Sequence, residues 1–310
     1  MPPRSPLPQR AGLDAAWVRS PDSVPGSEPG WETMRDFLVA RLPSAVPVDE
    51  MLAGGEFVDQ AGRPWTGQER YRGSTLVWFH RALVQEPVVP FPVEVLYRDD
   101  RLVVVDKPHF LASTPRGSHV AESALVRLRN SLGLPELAAA HRLDRLTAGV
   151  LVLTTQREFR GVYAGIFQRR EVHKTYEALA RFDPRLEFPR RIANRIEKRR
   201  GSLRAEVVDG EPNAETWIEV VETRGDYARY QLTPTTGRTH QLRVHLAALE
   251  LPILGDPLYP EVLDVDPADF TTPLQLIARR LSFTDPIDQT PREFTSRFVL
   301  DWPQAAQVTG

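Results

Sequence analysis

Asp144 is the side chain whose type and setting suggest chemistry most directly. It lies between Arg142 and Arg145, and Gly149 then leads into an apolar run at 150–153. Such a run is typical of a strand buried on both faces. The carboxylate is therefore expected on a loop at the mouth of a rigid element, where catalytic groups are often found. The alternative is an ion pair with one of the flanking arginines that only holds the loop in place.

Further polar motifs follow in an order that resembles a known family. The motifs are HRLDRLTAG at 141–149, KTY at 174–176 and GRTHQLRVH at 237–245. In order and spacing they resemble the RluA-type pseudouridine synthases, and the flanking segments 95–108 and 252–259 resemble that family too. The resemblance covers roughly residues 92–303, and the linkage of several motifs makes it specific.

The resemblance implies an RNA pseudouridine synthase acting on a stem-loop of rRNA or tRNA. The reaction breaks the N1–C1′ bond of uridine and rejoins the uracil through C5. Nothing is oxidised or hydrolysed in the net reaction, so neither a cofactor nor a metal is expected. The carboxylate could attack the base, attack C1′ or assist a glycal-type path.

Two other functions compete with this interpretation. One is a catalytically inactive RNA-binding or RNA-chaperone protein on the same fold, which would not need an acid paired with a buried arginine. The other is a glycoside or nucleoside hydrolase, which would normally require a second carboxylate near Asp144. The sequence offers no convincing candidate for that carboxylate.

Three residues carry the catalytic roles that the resemblance implies. Asp144 is the catalytic carboxylate. Arg243 is its expected partner, because a guanidinium within a few ångströms lowers the pKa of a carboxyl group by ~1–3 units. Tyr176 is expected to stack on the uracil, and its hydroxyl is a candidate for moving the C5 proton, directly or through water.

Other polar residues are expected to hold the substrate. Arg142 is placed to fill the gap left by a flipped-out uridine. Arg238 is expected to contact backbone or phosphate, since a guanidinium suits either. Lys174 points to the same strand face as Tyr176, which predicts a phosphate contact or a structural ion pair.

Two further pocket residues have simpler alternatives. Leu276 is expected to floor the uracil pocket or to be ordinary core, and His141 either to assist the reaction or to be structural. A basic stretch nearby predicts contacts that position RNA phosphates without reading the sequence: Arg190, Arg191, Arg195, Lys198, Arg199 and Arg200.

Two features do not fit a metal site or the family pattern. His240 and His245 are five residues apart, about 140° around a helix, unlike the i, i+4 pair of a zinc helix. Ile277 and Asp285 occupy positions at which relatives often have histidine.

Composition narrows the class and the compartment. The 310 residues include no cysteine, which excludes disulfides, thiolate nucleophiles and cysteine-rich zinc sites. The net charge is −2, yet the segment 141–204 carries about +9 and the remainder about −11. Such an asymmetry is expected of a face that binds a polyanion, and a set of solvated helix faces would explain the charges equally well. With no apolar run long enough for a membrane span and no signal-peptide pattern, a cytoplasmic, monomeric protein without an obligate protein partner is expected.

The chain is expected to divide into five parts. A proline-rich tail at 1–30 precedes a small module at 31–85, an extended linker at 86–91, the catalytic domain at 92–303 and a short tail at 304–310. The module resembles a degenerate S4-like RNA-binding module, but it lacks the basic second helix. A packing role is therefore at least as consistent with the sequence as strong RNA binding.

Strands and helices mix in the main domain without a regular βαβ repeat. Strands are predicted at 102–105, 150–154, 174–180, 216–222 and 227–233, with helices at 122–132 and 156–168 and a further helix around 242–249. The fold class is therefore α+β with a mixed, largely antiparallel sheet, and the resemblance implies the pseudouridine synthase fold.

Overall fold

The computed structural model describes residues 4–22, 30–81, 85–117 and 119–303. The chain forms two compact units, Met1–Gln85 and Glu86–Gly310. The tail expected at 304–310 lies outside the described residues. Each unit has a hydrophobic core of its own.

The first unit contains two short helices and a two-stranded antiparallel sheet. Its elements are β1 (Ala16–Arg19), α1 (Met34–Arg41), α2 (Val48–Ala53) and β2 (Leu76–Phe79). Thr33 begins α1 with a capping box, because its side chain accepts from the Asp36 amide and the Asp36 carboxylate accepts from the Thr33 amide. The apolar residues at helical spacing, Met34, Phe37 and Leu38, are fully buried.

The expectation of a tail over 1–30 is wrong for residues 16–19, which form β1. Ala16 and Val18 pack towards the core of the unit, and Trp17 alternates with them on the outer face. The Trp17 ring lies 6.4 Å from that of Trp78 on β2. The segment forms a strand in spite of the prolines around it, because Ala16 and Val18 pack against the core of the unit. The likeness of the unit to an S4 module stays a prediction.

The second unit is built on one large sheet. Its strands are β3 (Glu94–Arg98), β4 (Leu102–Lys107), β5 (Ala138–Ala139), β6 (Ala148–Thr154), β7 (His173–Arg181), β8 (Arg190–Glu197), β9 (Glu206–Val208), β10 (Ala214–Arg224), β11 (Tyr227–Pro234), β12 (Leu276–Thr284) and β13 (Pro291–Thr295). The helices are α3 (Ala124–Leu132), α4 (Arg157–Gln168) and α5 (Gln241–Ala248).

The sheet has 11 strands, with the main order β3-β4-β6-β12-β7-β11-β10-β8-β9, while β13 pairs with β12 and β5 with β6. Among the described residues only β6 and β12 pair in parallel. The prediction of an α+β fold with a mixed, largely antiparallel sheet is confirmed.

Strands β4 and β6 form the buried centre of the unit. Every residue of both strands is buried, as the continuous apolar runs predict. Side chains on one face of these strands pack in the core with α3, and those on the other face pack with α4. This leaves the N-terminal end of β6, where the Asp144 loop enters, fixed in a rigid sheet.

Helix boundaries differ slightly from those predicted. The third helix begins at Ala124 rather than at 122, because Ser123 is extended and its side chain accepts from the Val126 amide. Gln156 is likewise the extended residue before α4. No helix in the described part of the chain is long and apolar enough to cross a membrane.

The segment expected to be a linker, 86–91, is extended but fixed within the second unit. The Glu86 carboxylate accepts hydrogen bonds from the backbone amides of Val120, Ala121 and Glu122. Val89 is buried in the main core. Proline keeps this segment out of regular structure, while its other side chains hold it to the domain.

Candidate active site

A cavity of about 430 Å³ lies where the loop before β6 meets β7, β12 and the start of α5. Eight residues predicted to act in catalysis or substrate binding line it: His141, Arg142, Asp144, Lys174, Tyr176, Arg238, Arg243 and Leu276. These residues come from four separate parts of the sequence, so the fold brings together what the motifs predict.

The loop that carries Asp144 is held from beneath by a buried lysine. The Lys107 ammonium, at the end of β4, donates to the carbonyl oxygens of Pro108, Leu111 and Arg145 at 2.9, 2.7 and 3.2 Å. Burial lowers the pKa of Lys107 to about 7, and the charge of Asp144 partly opposes this. Through its bond to the Arg145 carbonyl, the lysine therefore holds the loop at the residue that follows Asp144.

Asp144 is half-buried in the cavity wall. Its carboxylate makes no hydrogen bond or ion pair with any residue that the structure describes, so the alternative of a loop-holding ion pair with Arg142 or Arg145 is not what is observed. Its charge nevertheless acts on neighbours. Burial raises the pKa of Tyr176, and Asp144 raises it further.

The direct pairing expected between Asp144 and Arg243 is wrong. Arg243 is fully buried, and its guanidinium donates from Nε and Nη2 to the two carboxylate oxygens of Asp256 at 2.7 and 2.6 Å. Burial alone would lower the pKa of Arg243, but Asp256 and, less strongly, Asp144 raise it. A guanidinium has five donors, and the motif could not reveal that two of them go to Asp256.

The start of α5 is fixed by a single amide side chain. Gln241 Oε1 accepts from the Arg238 amide and the Thr236 hydroxyl, and its Nε2 donates to the Glu215 carbonyl and to Thr216 Oγ1. The loop before the helix is thereby tied to β10. This anchoring places Arg243, in the first turn of the helix, against the cavity.

Tyr176, Lys174 and Leu276 form the sheet side of the cavity. Tyr176 and Lys174 are two residues apart on β7, so both project from the same face of the strand. Leu276, opposite Ala178 in the β12–β7 ladder, is buried and also belongs to the main core. Burial and the nearby charge of Arg170 lower the pKa of Lys174.

His141 and Arg238 make contacts that hold the cavity together. The His141 ring stacks on Phe167 with ring centroids 4.5 Å apart, and its Nε2 accepts from the Val152 amide at 3.2 Å. Burial and Lys174 lower the pKa of His141 to about 3, so the imidazole is neutral near pH 7. Arg238 Nε donates to the Asn213 carbonyl at 3.1 Å.

The residues predicted to contact RNA phosphates lie outside this cavity, on β8 and the turn after it. Arg195 pairs with Glu197, and the Lys198 ammonium donates to the Leu203 carbonyl. Arg199 and Arg200 are exposed. Lys198 is close enough to the cavity for Asp144 to act on its pKa, which burial lowers.

Several residues near the cavity were not predicted from the sequence. Arg170 and His240 line it, and Asp256 and Tyr259 surround Arg243. His240, considered only as a metal ligand, contacts the Tyr259 hydroxyl through Nδ1 at 3.0 Å. The sequence of segment 252–259 resembles the family, but it does not show that Asp256 and Tyr259 contact Arg243 on α5.

Neither position that departs from the family pattern lines the cavity. Ile277 is fully buried and pairs with Ala148 across the parallel β6–β12 contact. Asp285 is also fully buried and accepts a hydrogen bond from the Tyr163 hydroxyl at 2.8 Å. Within the described residues, no group of three or more His, Cys, Asp or Glu side chains could hold a metal ion.

Known proteins are similar to this chain in sequence and in fold. The RNA pseudouridylate synthase family matches residues 101–248. Dual-specificity RNA pseudouridine synthase RluA of Yersinia pestis is 32% identical over 217 residues, which cover 64% of this chain and 96% of that protein. Ribosomal large subunit pseudouridine synthase D of Xanthomonas campestris pv. campestris is 31% identical over 236 residues, covering 74% of this chain and 69% of the relative.

A solved structure agrees with these matches. Human RNA Pseudouridylate Synthase Domain Containing 1 superposes with a TM-score of 0.54 at 26% identity, covering 68% of this chain and 86% of the human one. The fold and the cavity thus define a pseudouridine synthase domain, which is an RNA-modifying isomerase. The chain belongs to the RluA-type pseudouridine synthase family, and the matched region runs from β4 to the end of α5. The activity inferred from the motifs is confirmed at this level.

Proposed function

We propose that Asp144 is the catalytic carboxylate that converts specific uridines of rRNA or tRNA into pseudouridine. The observation that carries this proposal is its setting: a half-buried acid without a direct partner among the described residues, in a cavity of about 430 Å³. Pockets of this size suit small ligands. Asp256 holds the Arg243 guanidinium and the Asn213 carbonyl accepts from Arg238 Nε, which leaves the Asp144 carboxylate available to the substrate.

In the proposed reaction the target uridine leaves its stack and enters the cavity, and Arg142 fills the gap. The C1′–N1 bond breaks, a C1′–C5 bond forms, C5 loses a proton and N1 gains one. Arg243 acts through the charge it adds near Asp144 and through the donors that Asp256 does not use. Attack on the base, attack on C1′ and a glycal-type path all remain compatible with this arrangement.

Tyr176 is proposed to hold the uracil by stacking, with Leu276 beneath the ring. Because the pKa of Tyr176 is raised, its phenol stays protonated at neutral pH. The tyrosine is therefore a poor base on its own, and the C5 proton is proposed to leave through water beside it. Lys174 and Arg238 flank the ribose phosphates, and His141 positions the loop through its bond to β6.

The partner of this site is RNA. The oligomeric state, the compartment and the need for a protein partner are further proposals. We propose that the enzyme works as a monomer in the cytoplasm, without an obligate protein partner. One unit of the chain supplies all eight predicted residues of the cavity, which supports a site complete within one protomer, and the absence of cysteine is consistent with a reducing compartment. Light scattering on the active protein, alone and with RNA, measures the oligomeric state directly.

The experiment that tests the function uses unmodified rRNA and tRNA transcripts carrying tritium at uridine C5. Pseudouridine formation releases tritium to water, and nucleoside analysis then finds pseudouridine in place of uridine. RNA that is retained on a filter without tritium release would favour the inactive RNA-binding alternative. Release of free uracil would favour the hydrolase, for which Asp256 is unsuited because Arg243 occupies both its oxygens.

A further inference from the structure

A second, smaller cavity lies beside the first, separated from it by the Asp144 loop. Its volume is about 140 Å³, roughly a third of that of the larger cavity. Arg142 and Leu143 line both cavities, whereas Asp144 lines only the larger and Arg145 only the smaller. Successive side chains of one short loop therefore serve two different spaces.

The lining of the smaller cavity is cationic. Its ionisable residues are Arg116, His119, Arg142 and Arg145, and no carboxylate of the residues that the structure describes lines it. Lys198 lies close enough for Arg116 and Arg142 to lower its pKa, after the larger effect of burial. The Glu86 carboxylate raises the pKa of His119 and so partly opposes the effect of burial. Three backbone amides already donate hydrogen bonds to this carboxylate.

Arg145 is the group that this arrangement leaves least compensated. It is half-buried, and its one side-chain hydrogen bond to a described residue runs from Nη1 to the Phe110 carbonyl at 3.4 Å, a long hydrogen bond. Burial lowers the pKa of Arg145, and Arg243 lowers it further. A half-buried guanidinium among other cations gains strongly from an anion that enters the cavity.

We propose that the smaller cavity is a subsite for one phosphodiester of the RNA strand adjacent to the target uridine. This inference rests on the proposed function, because it places the subsite one loop away from the catalytic carboxylate. The volume lies well below the range of whole-ligand pockets, so it suits a single anionic group. Guanidinium forks match the paired oxygens of a phosphate, and Thr114 adds a hydroxyl to the lining.

The subsite gives the Asp144 loop a direct link to the substrate. Arg145 is the residue next to Asp144, and Lys107 already donates a hydrogen bond to the Arg145 carbonyl. A phosphate bound by the Arg145 side chain is therefore attached to the loop directly beside the catalytic carboxylate. Binding energy from the RNA backbone is thereby used to position the catalytic carboxylate against the flipped nucleotide. Arg142, which lines both cavities, joins the two functions.

The test compares Arg116→Gln with Arg98→Gln. Both arginines are exposed, so neither variant is expected to unfold, and Arg98 on β3 lines neither cavity. The substrate is the tritium-labelled rRNA and tRNA transcript pool, and KM and kcat are measured from 50 to 300 mM salt. For Arg116→Gln we expect KM to rise about tenfold, as for loss of one charge-assisted hydrogen bond, and kcat to fall by a smaller factor, because Arg145 still links the phosphate to the Asp144 loop.

The salt dependence separates a phosphate contact from a base contact. Loss of one phosphate contact lowers the slope of log KM against log salt by about one, whereas loss of a base contact leaves the slope unchanged. If Arg116→Gln behaves like Arg98→Gln, the subsite proposal is overturned while the enzyme function stands. If the wild type releases no tritium, the function fails, and the same slopes measured by filter binding decide whether the cavity binds phosphate.

Discussion

At the scale of single residues, the site depends on how one buried arginine divides its hydrogen bonds. Arg243 gives two donors to Asp256 and adds positive charge near Asp144 without a direct bond to it. The Tyr259 ring lies under the guanidinium, 5.2 Å from its central carbon. Asp256 thus holds the cation, and Asp144 remains free for the substrate.

Asp256→Asn is expected to destabilise the second unit by about 3–5 kcal/mol, because it leaves the Arg243 charge buried without its partner. Hydrogen exchange of peptides from α5, followed by mass spectrometry, measures the loss. Asp183→Asn, which breaks an exposed pair with Arg185, serves as control and should have no measurable effect. Equal protection of α5 in both variants would show that Asp256 is not needed to compensate Arg243.

The sequence predicted which residues meet at the site but not how they are bonded. Motif order and spacing predicted that Asp144, Tyr176 and Arg243 meet around one cavity, because each motif lies at the start of a regular element: β6, β7 or α5. The partner of Arg243 could not be predicted, since it depends on where a turn thirteen residues later returns in space. Lys107 was overlooked for the same reason: its partners are three carbonyls, and any residue type supplies those.

At the scale of elements, the site depends on the parallel contact between β6 and β12. This contact is short, Ala148 with Ile277 and Gly149 with Ala278, and it fixes where the Asp144 loop enters the sheet. Gly149 has φ +116°, and a Cβ there would lie 2.4 Å from the Ala278 carbonyl oxygen. Only glycine permits so close an approach of two backbones.

Gly149→Ala is expected to cost about 3 kcal/mol or more, because both the backbone conformation and the close contact oppose a side chain. Gly161→Ala on α4 is the matched control, since nothing lies within 4 Å of its added Cβ. That change should stabilise α4 by up to about 1 kcal/mol. Denaturation followed by circular dichroism compares the two, and a loss no larger for Gly149→Ala than for Gly161→Ala would contradict the account.

Element prediction worked best where periodicity was strong. The runs that became β4 and β6 and the amphipathic stripe of α4 were all identified from spacing. It failed for β1, where four residues lie within a proline-rich segment. Such a short strand is stabilised by its pairing with β2, which begins at Leu76, and local sequence carries no signal of that partner.

At the scale of the whole molecule, buried neutral histidines make stability depend on pH. Burial lowers the pKa of His109, His240 and His245 to about 4 and that of His141 to about 3. An unfolded histidine binds its proton near pH 6.5. Between about pH 6.5 and pH 4 the unfolded state therefore binds more protons, and the free energy of unfolding falls as the pH falls.

His245→Gln isolates one of these contributions away from the cavity. His245 is fully buried and contacts Thr216 Oγ1 and Asn194 Oδ1 at 2.9 and 3.0 Å. Its removal should reduce the slope of unfolding free energy against pH by up to about 1.4 kcal/mol per unit between pH 6.5 and 4.5. His173→Gln, at an exposed position, is the control, and identical slopes would contradict the assignment.

The probe for such measurements must report on the second unit. Four of the six tryptophans lie in Met1–Gln85, so fluorescence follows mainly the other unit. Circular dichroism and hydrogen exchange of peptides from β4, β6 and β10 follow the large sheet. The unfolding of each unit is then analysed as a separate transition.

The most direct test of the central claim is the rate of tritium release by Asp144→Asn under single-turnover conditions. The amide keeps the shape of the side chain but removes its charge and its nucleophilic oxygen, so we expect the rate to fall at least about a thousandfold. Filter retention of the same RNA should stay within about twofold of wild type, and Asp183→Asn should react at the wild-type rate. Release by Asp144→Asn within about tenfold of wild type would contradict the account.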